Sequence, residues 1–352
     1  MISLIDRLRR RGAPPPAGPQ AQAPAWAQAL FVKPLRPQVV APGGEVRVWT
    51  LAGGAGAAQV TDQFKAGAEE YHRRYAASDH FEALFRQALA ATGAQVAARP
   101  LILDLGSGSG VNSVIPCRRL FPGARVVATD LSAELLAMLG AYAAESGAEE
   151  DVVCVQLDAM AGLTASGCFD LVTGAAILHH LDSPGEGLRA AAQALRPGGQ
   201  AIFFEPFNGW ALMRLAFERI LAEAALRGQP LPADPEAAVR QLVDDVAQRS
   251  TESYGAVSSD ADDKWLFSRT GIDALARAAG FDAVRFAPHA DHPSLYRDIA
   301  GVHLRLYSGR DDLALPNWAL AVLDSFDAAM TLNAKRELML EGSIVLTKTA
   351  AA

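Results

Sequence analysis

The chain of 352 residues is poor in cysteine and contains no long apolar run. Its three cysteines, Cys117, Cys154 and Cys168, form no C-x-x-C pair, which argues against a thiol metal or redox motif and favours reduced structural thiols. No apolar run approaches the roughly 18 residues that a membrane-spanning helix needs. The first residues also lack the apolar core of a signal peptide. These absences predict a cytoplasmic protein without an integral membrane segment.

The chain also lacks an excess of positive charge. Its formal net charge is −7, whereas a general nucleic-acid binder needs a basic face. A hydrophobic fraction of 50% and a charged fraction of 20% are enough to build a large buried core. The composition therefore favours a globular protein and predicts no nucleic-acid partner, although it does not exclude a local basic patch.

The most informative stretch is Leu101–Gly110, whose sequence is LILDLGSGSG. Its apolar beginning predicts a buried parallel strand, and its glycines predict a tight turn before a helix over residues 111–120. The glycine spacing is G-x-G-x-G, whereas the dinucleotide fingerprint is G-x-G-x-x-G. Asp104 precedes the turn, and a carboxylate there favours a ligand with an ammonium group over a pyrophosphate.

Four further apolar runs, over residues 125–130, 152–159, 169–181 and 195–206, alternate with predicted helices. This alternation predicts a parallel sheet with helices on both faces. Ligands bind to such sheets at the carboxyl ends of the strands. Five polar residues fall at or near the predicted strand ends: Asp104, Asp130, Asp158, His179 and Glu205.

These five segments, taken in order, resemble the class I S-adenosylmethionine-dependent methyltransferases, and the resemblance covers roughly residues 60–206. The loop His179-His180-Leu181 and the turn Leu195-Arg196-Pro197-Gly198-Gly199 are most similar to the ubiquinone/menaquinone-type small-molecule methyltransferases. The resemblance implies an α/β, Rossmann-like, seven-stranded and mostly parallel sheet with helices on both faces. The last strand should run antiparallel beside the sixth.

The resemblance also implies S-adenosylmethionine as the cofactor. It places Asp130 at the ribose hydroxyls and Asp158 at the adenine amino group. Helices before the first strand fold over the cofactor in this family, so Tyr71 is a candidate for the pocket wall; an aromatic residue packed on the core is the alternative. The implied cofactor-binding residues are Asp104, Gly106, Ser107, Gly108, Asp130, Leu131, Asp158, Ala159 and Tyr71.

Methyl transfer needs mainly positioning, but a hydroxyl acceptor also needs a base. The resemblance places His179 and His180 near the transferred methyl group, and either is a candidate base. Glu205 is a candidate orienting acid or substrate ligand. The alternatives are a histidine that shapes the loop through a backbone hydrogen bond, and a strand-end acid that faces solvent. No metal site is predicted. The acidic residues Asp260, Asp262 and Asp263 are interpreted as a solvated charge run, with a metal site as the alternative, because no clear partner ligands lie nearby in sequence.

The remaining segments carry weaker signals. Residues 1–29 are predicted to be a flexible arm, with weak contact to a membrane surface as one interpretation of residues 1–12. Residues 30–59 are predicted to be irregular or a small β element. Residues 60–352 are predicted to be the methyltransferase domain, with insertions at about 207–265 and 287–341 that build a helical cap over the strand ends. The oligomeric state is left open.

The sequence therefore predicts a methyltransferase that acts on a small-molecule acceptor, with a hydroxyl of a hydrophobic or glycan-linked metabolite as one candidate. Two other classes stay open. An NAD-dependent oxidoreductase also needs a glycine turn and an acid, but the glycine spacing and Asp104 argue against it. A non-catalytic binding or scaffold protein would keep the fold without the reaction, since a fold does not prove an activity.

Overall fold

A computed structural model of the chain describes residues 22–38, 40, 48–52, 67–162, 164–249 and 261–349. The membrane-surface interpretation of residues 1–12 lies outside the described residues. Apolar residues at helical spacing also predict an amphipathic helix over residues 60–76, and the beginning of that range lies outside the described residues as well. The described part of that helix runs over Ala68–Tyr75.

The described residues form one mixed sheet of nine strands. The strands are β1 (Leu35–Gln38), β2 (Val48–Leu51), β3 (Leu101–Leu105), β4 (Arg125–Asp130), β5 (Val152–Gln156), β6 (Phe169–Ala175), β7 (Leu195–Pro206), β8 (Ala283–Pro288) and β9 (Glu341–Thr347). Their order across the sheet is β1-β2-β5-β4-β3-β6-β7-β9-β8. The strand order reverses between β3 and β6, and such a reversal opens a ligand crevice at the carboxyl ends.

The Rossmann-like fold predicted from the sequence is confirmed, with a correction to the number of strands. Strands β3 to β7 pair in parallel, and β9 runs antiparallel between β7 and β8 as expected. The two additional strands are β1 and β2, which pair antiparallel with each other, while β2 pairs in parallel with β5. Val48, Trp49 and Leu51 are buried, so β2 covers an edge of β5 that would otherwise expose unpaired backbone groups.

Twelve α-helices and one 3₁₀ turn (Leu178–His180) occur in the described residues. The helices are α1 (Ala25–Gln28), α2 (Ala68–Tyr75), α3 (His80–Thr92), α4 (Val114–Leu120), α5 (Ala133–Glu145), α6 (Pro184–Ala194), α7 (Gly209–Arg227), α8 (Ala233–Gln248), α9 (Arg269–Ala278), α10 (Leu295–Ser308), α11 (Asn317–Ala329) and α12 (Leu332–Leu338). Ser132 caps α5, since its hydroxyl accepts a hydrogen bond from the Leu135 N–H at 3.2 Å, as its sequence position predicts.

Helices cover both faces of the sheet. On one face, α3, α4 and α5 pack on the strands through apolar side chains such as Phe85, Cys117 and Leu136. On the other face, α6 and α9 do so through Leu188 and Ile272. Both layers bury large apolar areas, which is the main source of stability for this architecture.

Helices α7, α8, α10 and α11 surround a third apolar cluster, distinct from the two on the sheet faces, that includes Trp210, Phe217 and Tyr296. These helices lie within the stretches that the sequence predicts to be insertions, and the function of those stretches as a cap stays a prediction. Among the helices that the structure describes, none combines the length and the apolar character needed to span a bilayer.

Candidate active site

The glycine turn after β3 packs against Ile177 at Gly106 and has open space next to Gly108. Gly106 and Gly108 have φ of +66° and +51°, a region that favours glycine. A Cβ atom at Gly106 would lie 2.5 Å from the Ile177 Cδ1 atom, so this glycine allows the loop after β6 to pack closely. A Cβ atom at Gly108 would have no neighbour within 4 Å among the described residues. The turn therefore leaves space for a ligand above Gly108.

Asp104 is fully buried beneath this turn. Its Oδ2 accepts a hydrogen bond from the Ser113 hydroxyl at 2.7 Å, and its Oδ1 accepts one from the Thr173 hydroxyl at 2.5 Å. Burial raises the pKa of Asp104 to about 6, although its hydroxyl partners oppose that shift. The carboxylate thus ties β3 to α4 and β6, and its predicted contact with a ligand ammonium group stays a prediction.

Asp130 connects the end of β4 to the glycine turn. Its Oδ2 accepts a hydrogen bond from the Gly108 N–H, and its Oδ1 accepts one from the Ser132 N–H, both at 2.8 Å. Burial raises the pKa of Asp130, while these backbone donors oppose the rise. A carboxylate has about four acceptor positions. Asp130 can therefore hold the turn and still accept ligand hydroxyl groups.

The ends of β4 and β5 are bonded to each other as well. The Gln156 side chain donates to the Leu131 carbonyl at 2.8 Å, and the Leu157 N–H donates to the Asp130 carbonyl at 3.0 Å. Asp158 follows directly, and its Oδ1 accepts a hydrogen bond from the Met160 N–H at 2.8 Å. The structure thus brings the predicted cofactor residues of β3, β4 and β5, including buried Ala159, to one edge of the sheet.

Helix α2 lies against the same edge. The Tyr71 hydroxyl donates to Asn112 Oδ1 at 2.9 Å, just past the glycine turn, and the Tyr71 ring lies 4.6 Å from the Tyr75 ring. Tyr71 is 40% exposed, so the alternative of a side chain packed into the core is not what the structure shows. Its predicted contact with the cofactor stays a prediction.

Glu205 is buried at the end of β7 and holds the 3₁₀ turn that follows β6. Its carboxylate accepts hydrogen bonds from the N–H groups of Ile177, Leu178 and His179 at 3.1, 2.7 and 3.2 Å. Its Oε2 also lies 2.6 Å from the Nδ1 atom of His179. The side chain is 2% exposed and does not face solvent. Glu205 therefore fixes the loop in which the resemblance places the candidate bases.

His179 and His180 meet Asp263 from the distant polar segment. The Nε2 atom of His179 and the Nδ1 atom of His180 lie 3.4 and 3.3 Å from Asp263 Oδ1, and Arg249 pairs with the same carboxylate. His180 Nδ1 also lies 2.9 Å from the Asp262 carbonyl oxygen. The interpretation of this acidic segment as a solvated charge run is therefore wrong for Asp263.

The spacing of His179, His180 and Asp263, whose ligand atoms lie within 4.8 Å of one another, is compatible with a metal ion. Each of the three side chains also contacts a neighbouring group of the chain, so the spacing alone does not indicate a metal. The expectation that the protein holds no metal stays a prediction. So does the role of His179, His180 or Glu205 in proton transfer.

A second polar group lies at the same edge. The sequence marks His289 and His303 as histidines of the predicted cap that could reach the pocket, but it does not place them and does not mark Glu341. The Nε2 atom of His303 lies 3.0 Å from Glu341 Oε1, and the His303 ring lies 4.5 Å from the Trp210 ring. His289 lies 3.2 Å from the Ser343 hydroxyl through its Nε2 atom. Glu341 is the first residue of β9, which runs antiparallel to its neighbours β7 and β8. The beginning of β9 therefore lies at the same edge of the sheet as the carboxyl ends of β7 and β8. That strand polarity is the signal that could have identified this group.

The opposite edge of the sheet contains a separate cavity of about 530 Å³. Trp26, Arg99 and Arg125 are among the residues that line it, and it lies at the amino ends of β3 and β4. Parallel sheets bind their ligands at the carboxyl ends, so this cavity is not the candidate active site.

Residues 102–199 match a family model described as a methyltransferase domain. Ubiquinone biosynthesis O-methyltransferase of Idiomarina loihiensis is 35% identical to this chain over 124 residues, which are 34% of the chain and 49% of that protein. The enzyme of the same name from Nitrosococcus oceani is 35% identical over 129 residues, 37% of the chain and 52% of that protein. The chain therefore contains a methyltransferase domain over residues 102–199. It spans about half the length of these curated relatives.

Solved structures with a similar arrangement include Haemonchus contortus phospholethanolamine N-methyltransferase 2 in complex with S-adenosylhomocysteine. That chain is 15% identical, with a TM-score of 0.48 over 82% of this chain and 58% of its own length. The assignment of the methyltransferase domain rests on the matched sequence of residues 102–199.

His179 and His180, in the 3₁₀ turn that follows β6, have opposite pKa shifts. Burial alone lowers the pKa of His179, but the charges of Glu205 and Asp263 more than offset it and raise the pKa to about 9. Burial and the neighbouring His179 lower the pKa of His180 to about 3. At neutral pH, His179 therefore carries a positive charge between two carboxylates, and His180 is neutral.

This arrangement predicts a decrease in stability on the alkaline side. His179 binds its proton more tightly in the folded chain, so its contribution is fully present below the ordinary pKa of 6.5 and is lost as pH rises through about 9. The pKa values of His180 and His289 are lowered to about 3 and 4, so the folded chain favours their neutral forms. Their contribution to stability is therefore present above pH 6.5 and is lost as pH falls below it. Urea denaturation between pH 6.5 and 9 should show the decrease, and the His179→Gln variant should show a flatter profile. An equally steep decrease in that variant would assign it to another group.

Proposed function

We propose that the chain binds S-adenosylmethionine at the carboxyl edge of β3, β4 and β5 and transfers its methyl group to a hydroxyl of a small-molecule acceptor. The observation that supports this most directly is the link between Asp130 and Gly108. The acid that would face the ribose is bonded to the N–H of the glycine above which the turn is open. An acid and an open glycine at adjoining strand ends suit an adenosine ligand.

The residues at this edge fit the cofactor. S-adenosylmethionine supplies an activated methyl group, so the chain has mainly to bind and orient it. We assign the ribose hydroxyls to Asp130 and the adenine to Asp158, Ala159 and Leu131. The turn of Gly106, Ser107 and Gly108, above Asp104, would hold the amino-acid end, and Tyr71 on α2 would cover it. These assignments use the positions of the strand ends and need no movement of the sheet.

The acceptor is proposed to be a hydrophobic or glycan-linked hydroxyl compound. The apolar cluster of α7, α8, α10 and α11 lies beyond β7 and β9, next to the polar group of His303 and Glu341. Such a surrounding suits an acceptor with a sizeable apolar part. The relatives are named as O-methyltransferases, which supports an oxygen acceptor.

The Asp130→Ala variant tests the cofactor site. Loss of a charged hydrogen-bond partner should weaken binding of S-adenosylmethionine by about 1.5–3 kcal/mol, roughly 10- to 150-fold. Isothermal titration calorimetry with S-adenosylmethionine and S-adenosylhomocysteine measures this, with NADH as the ligand that should not bind. Asp151→Ala is the matched control, because Asp151 pairs with Arg118 at the opposite edge.

Two results would contradict the proposal. Wild-type protein that is folded but binds neither S-adenosylmethionine nor S-adenosylhomocysteine would favour a scaffold that has lost its cofactor. Unchanged affinity in a folded Asp130→Ala protein would remove this acid from the site while leaving the cofactor in place.

A further inference from the structure

We propose that His303 and Glu341 form the pair that accepts the proton of the acceptor hydroxyl. This inference rests on the proposed function, because it assigns a residue pair to the reaction at the same edge. Glu341 opens β9 opposite Pro206, the last residue of β7, so its position at the carboxyl edge follows from the strand register. His303 reaches it from α10, one of the helices around the third apolar cluster.

The pair has the arrangement of a histidine oriented by a carboxylate. The Nε2 atom of His303 lies 3.0 Å from Glu341 Oε1, so Nε2–H donates to the carboxylate in the neutral tautomer. The lone pair is then on Nδ1, for which the described residues provide no hydrogen-bond partner. The Trp210 ring packs against the imidazole at 4.5 Å and limits its rotation. A carboxylate that fixes tautomer and orientation is what makes a histidine an effective general base.

The pair is also close to the proposed cofactor site. The charge of Glu341 acts on the hydroxyl of Tyr71, where partial burial, the neighbouring Tyr75 and Glu341 together raise the pKa. Tyr71 is bonded to Asn112 beside the glycine turn. Glu341, opposite Pro206 at the end of β7, and Tyr71, bonded beside the glycine turn, thus lie at the same carboxyl edge of the sheet, where the proposal places the acceptor.

The surroundings keep Glu341 ionised. Burial alone would raise its pKa, but His303, His289 and His80 together lower it below the ordinary value. The His303 side chain is 20% exposed, so the pair is partly shielded and still accessible to a small molecule. His179 differs, because both of its ring nitrogens face carboxylates of the chain itself.

The proposed step balances in atoms and charge. The acceptor oxygen forms a bond to the methyl carbon while the sulfur–methyl bond breaks, and that electron pair stays on sulfur. The proton of the acceptor hydroxyl moves to Nδ1 of His303, giving an imidazolium that Glu341 stabilises. The products are the methyl ether, S-adenosylhomocysteine and a protonated histidine that returns its proton to solvent. The class of acceptor is thus a compound with an ionisable hydroxyl, such as a phenol.

The test uses 4-nitrocatechol, whose phenolate absorbs visible light, together with S-adenosylhomocysteine, which cannot donate a methyl group. Wild-type protein should bind the probe in the presence of S-adenosylhomocysteine and show a larger phenolate fraction than free probe at the same pH. His303→Gln keeps a side-chain donor for Glu341 but cannot accept the proton, so the ratio of phenolate to phenol in the bound probe should decrease about tenfold or more. Glu341→Gln should lower it in the same direction. His292→Gln, in a half-exposed pair with Asp298, is the matched control and should behave as wild type.

The outcomes separate the two proposals. Calorimetry of the same samples shows whether S-adenosylhomocysteine binds. If wild-type protein does not bind it, the proposed function is overturned. Normal S-adenosylhomocysteine binding with an equal phenolate fraction in wild type and His303→Gln would overturn only the proton-accepting pair. Wild-type protein that binds S-adenosylhomocysteine but leaves the probe un-ionised would also count against the pair. A smaller phenolate fraction confined to the His303 and Glu341 variants supports it.

Discussion

Replacing Glu205 with alanine is expected to lower the free energy of unfolding by about 3–5 kcal/mol, because it removes one partner of a buried ion pair. His179 would keep a positive charge in a 6% exposed site without its nearest carboxylate. Three backbone N–H groups, those of Ile177, Leu178 and His179, would lose their acceptor at the same time. Unsatisfied buried donors add to the cost of the lost charge pair. Urea denaturation followed by circular dichroism measures the change.

Two variants make this result interpretable. Glu236→Ala removes an exposed pair with Arg240 one helical turn away, which should cost only about 0–1 kcal/mol. Glu205→Gln keeps an acceptor oxygen but not the charge, so its effect should lie between those of the two alanine variants. If Glu205→Ala were as stable as Glu236→Ala, the acid would not be holding the loop, and its predicted role at the substrate would become the better explanation.

Much of the fold could be predicted because its signals are local. The run Leu101–Leu105 with the glycines after it specifies a strand, a turn and a helix within twenty residues of sequence, and the later strands repeat this alternation. The rule that parallel sheets bind ligands at their carboxyl ends then places Asp130 and Asp158 side by side. The structure confirms that these residues lie at one edge of the sheet, and predicting this required only local sequence signals and the rule for parallel sheets.

The additional strands show where local reasoning ends. β1 and β2 are short, and prolines interrupt the stretch that contains them. What makes β2 a strand is the open edge of β5, about a hundred residues away in sequence, where Val48 faces Cys154. Strand formation depends on such partners more than on intrinsic preference. The sequence could therefore predict a small β element at residues 30–59 but not its place in the sheet.

The polar networks were harder to predict for the same reason. Asp263 meets His179 only because the segment after residue 260 returns to the loop that follows β6, and nothing in the local sequence marks this contact. His303 and Glu341 depend on the register of β9 and on the packing of α10. A charged residue that looks solvated in the sequence can thus be the counter-ion of a buried histidine. Ion pairs between distant segments require the tertiary structure.

Replacing Lys335 with alanine is the second substitution with a large expected effect. Lys335 lies in α12 and is 3% exposed. Its Nζ atom donates hydrogen bonds to Asp327 Oδ1 at 2.7 Å and to the Pro293 carbonyl. Asp327 in turn accepts hydrogen bonds at 3.0 Å from the N–H groups of Tyr296 and Arg297, the beginning of α10. This ion pair joins α10, α11 and α12. Its loss would leave Asp327 buried without a counter-charge.

The expected decrease in the free energy of unfolding for Lys335→Ala is about 3–5 kcal/mol, since a buried charge without its partner is far costlier than an exposed one. Arg336→Ala is the matched control. Arg336 is the next residue of α12, and its exposed pair with Asp291 should contribute only about 0–1 kcal/mol. Because α10 carries His303, a smaller fraction of the bound 4-nitrocatechol should be ionised in the Lys335→Ala variant than in wild type. The Arg336→Ala variant should show the wild-type fraction. Equal stability of the two variants would show that water replaces the lost ammonium group, and the connection between α10 and α12 would then depend on apolar packing alone.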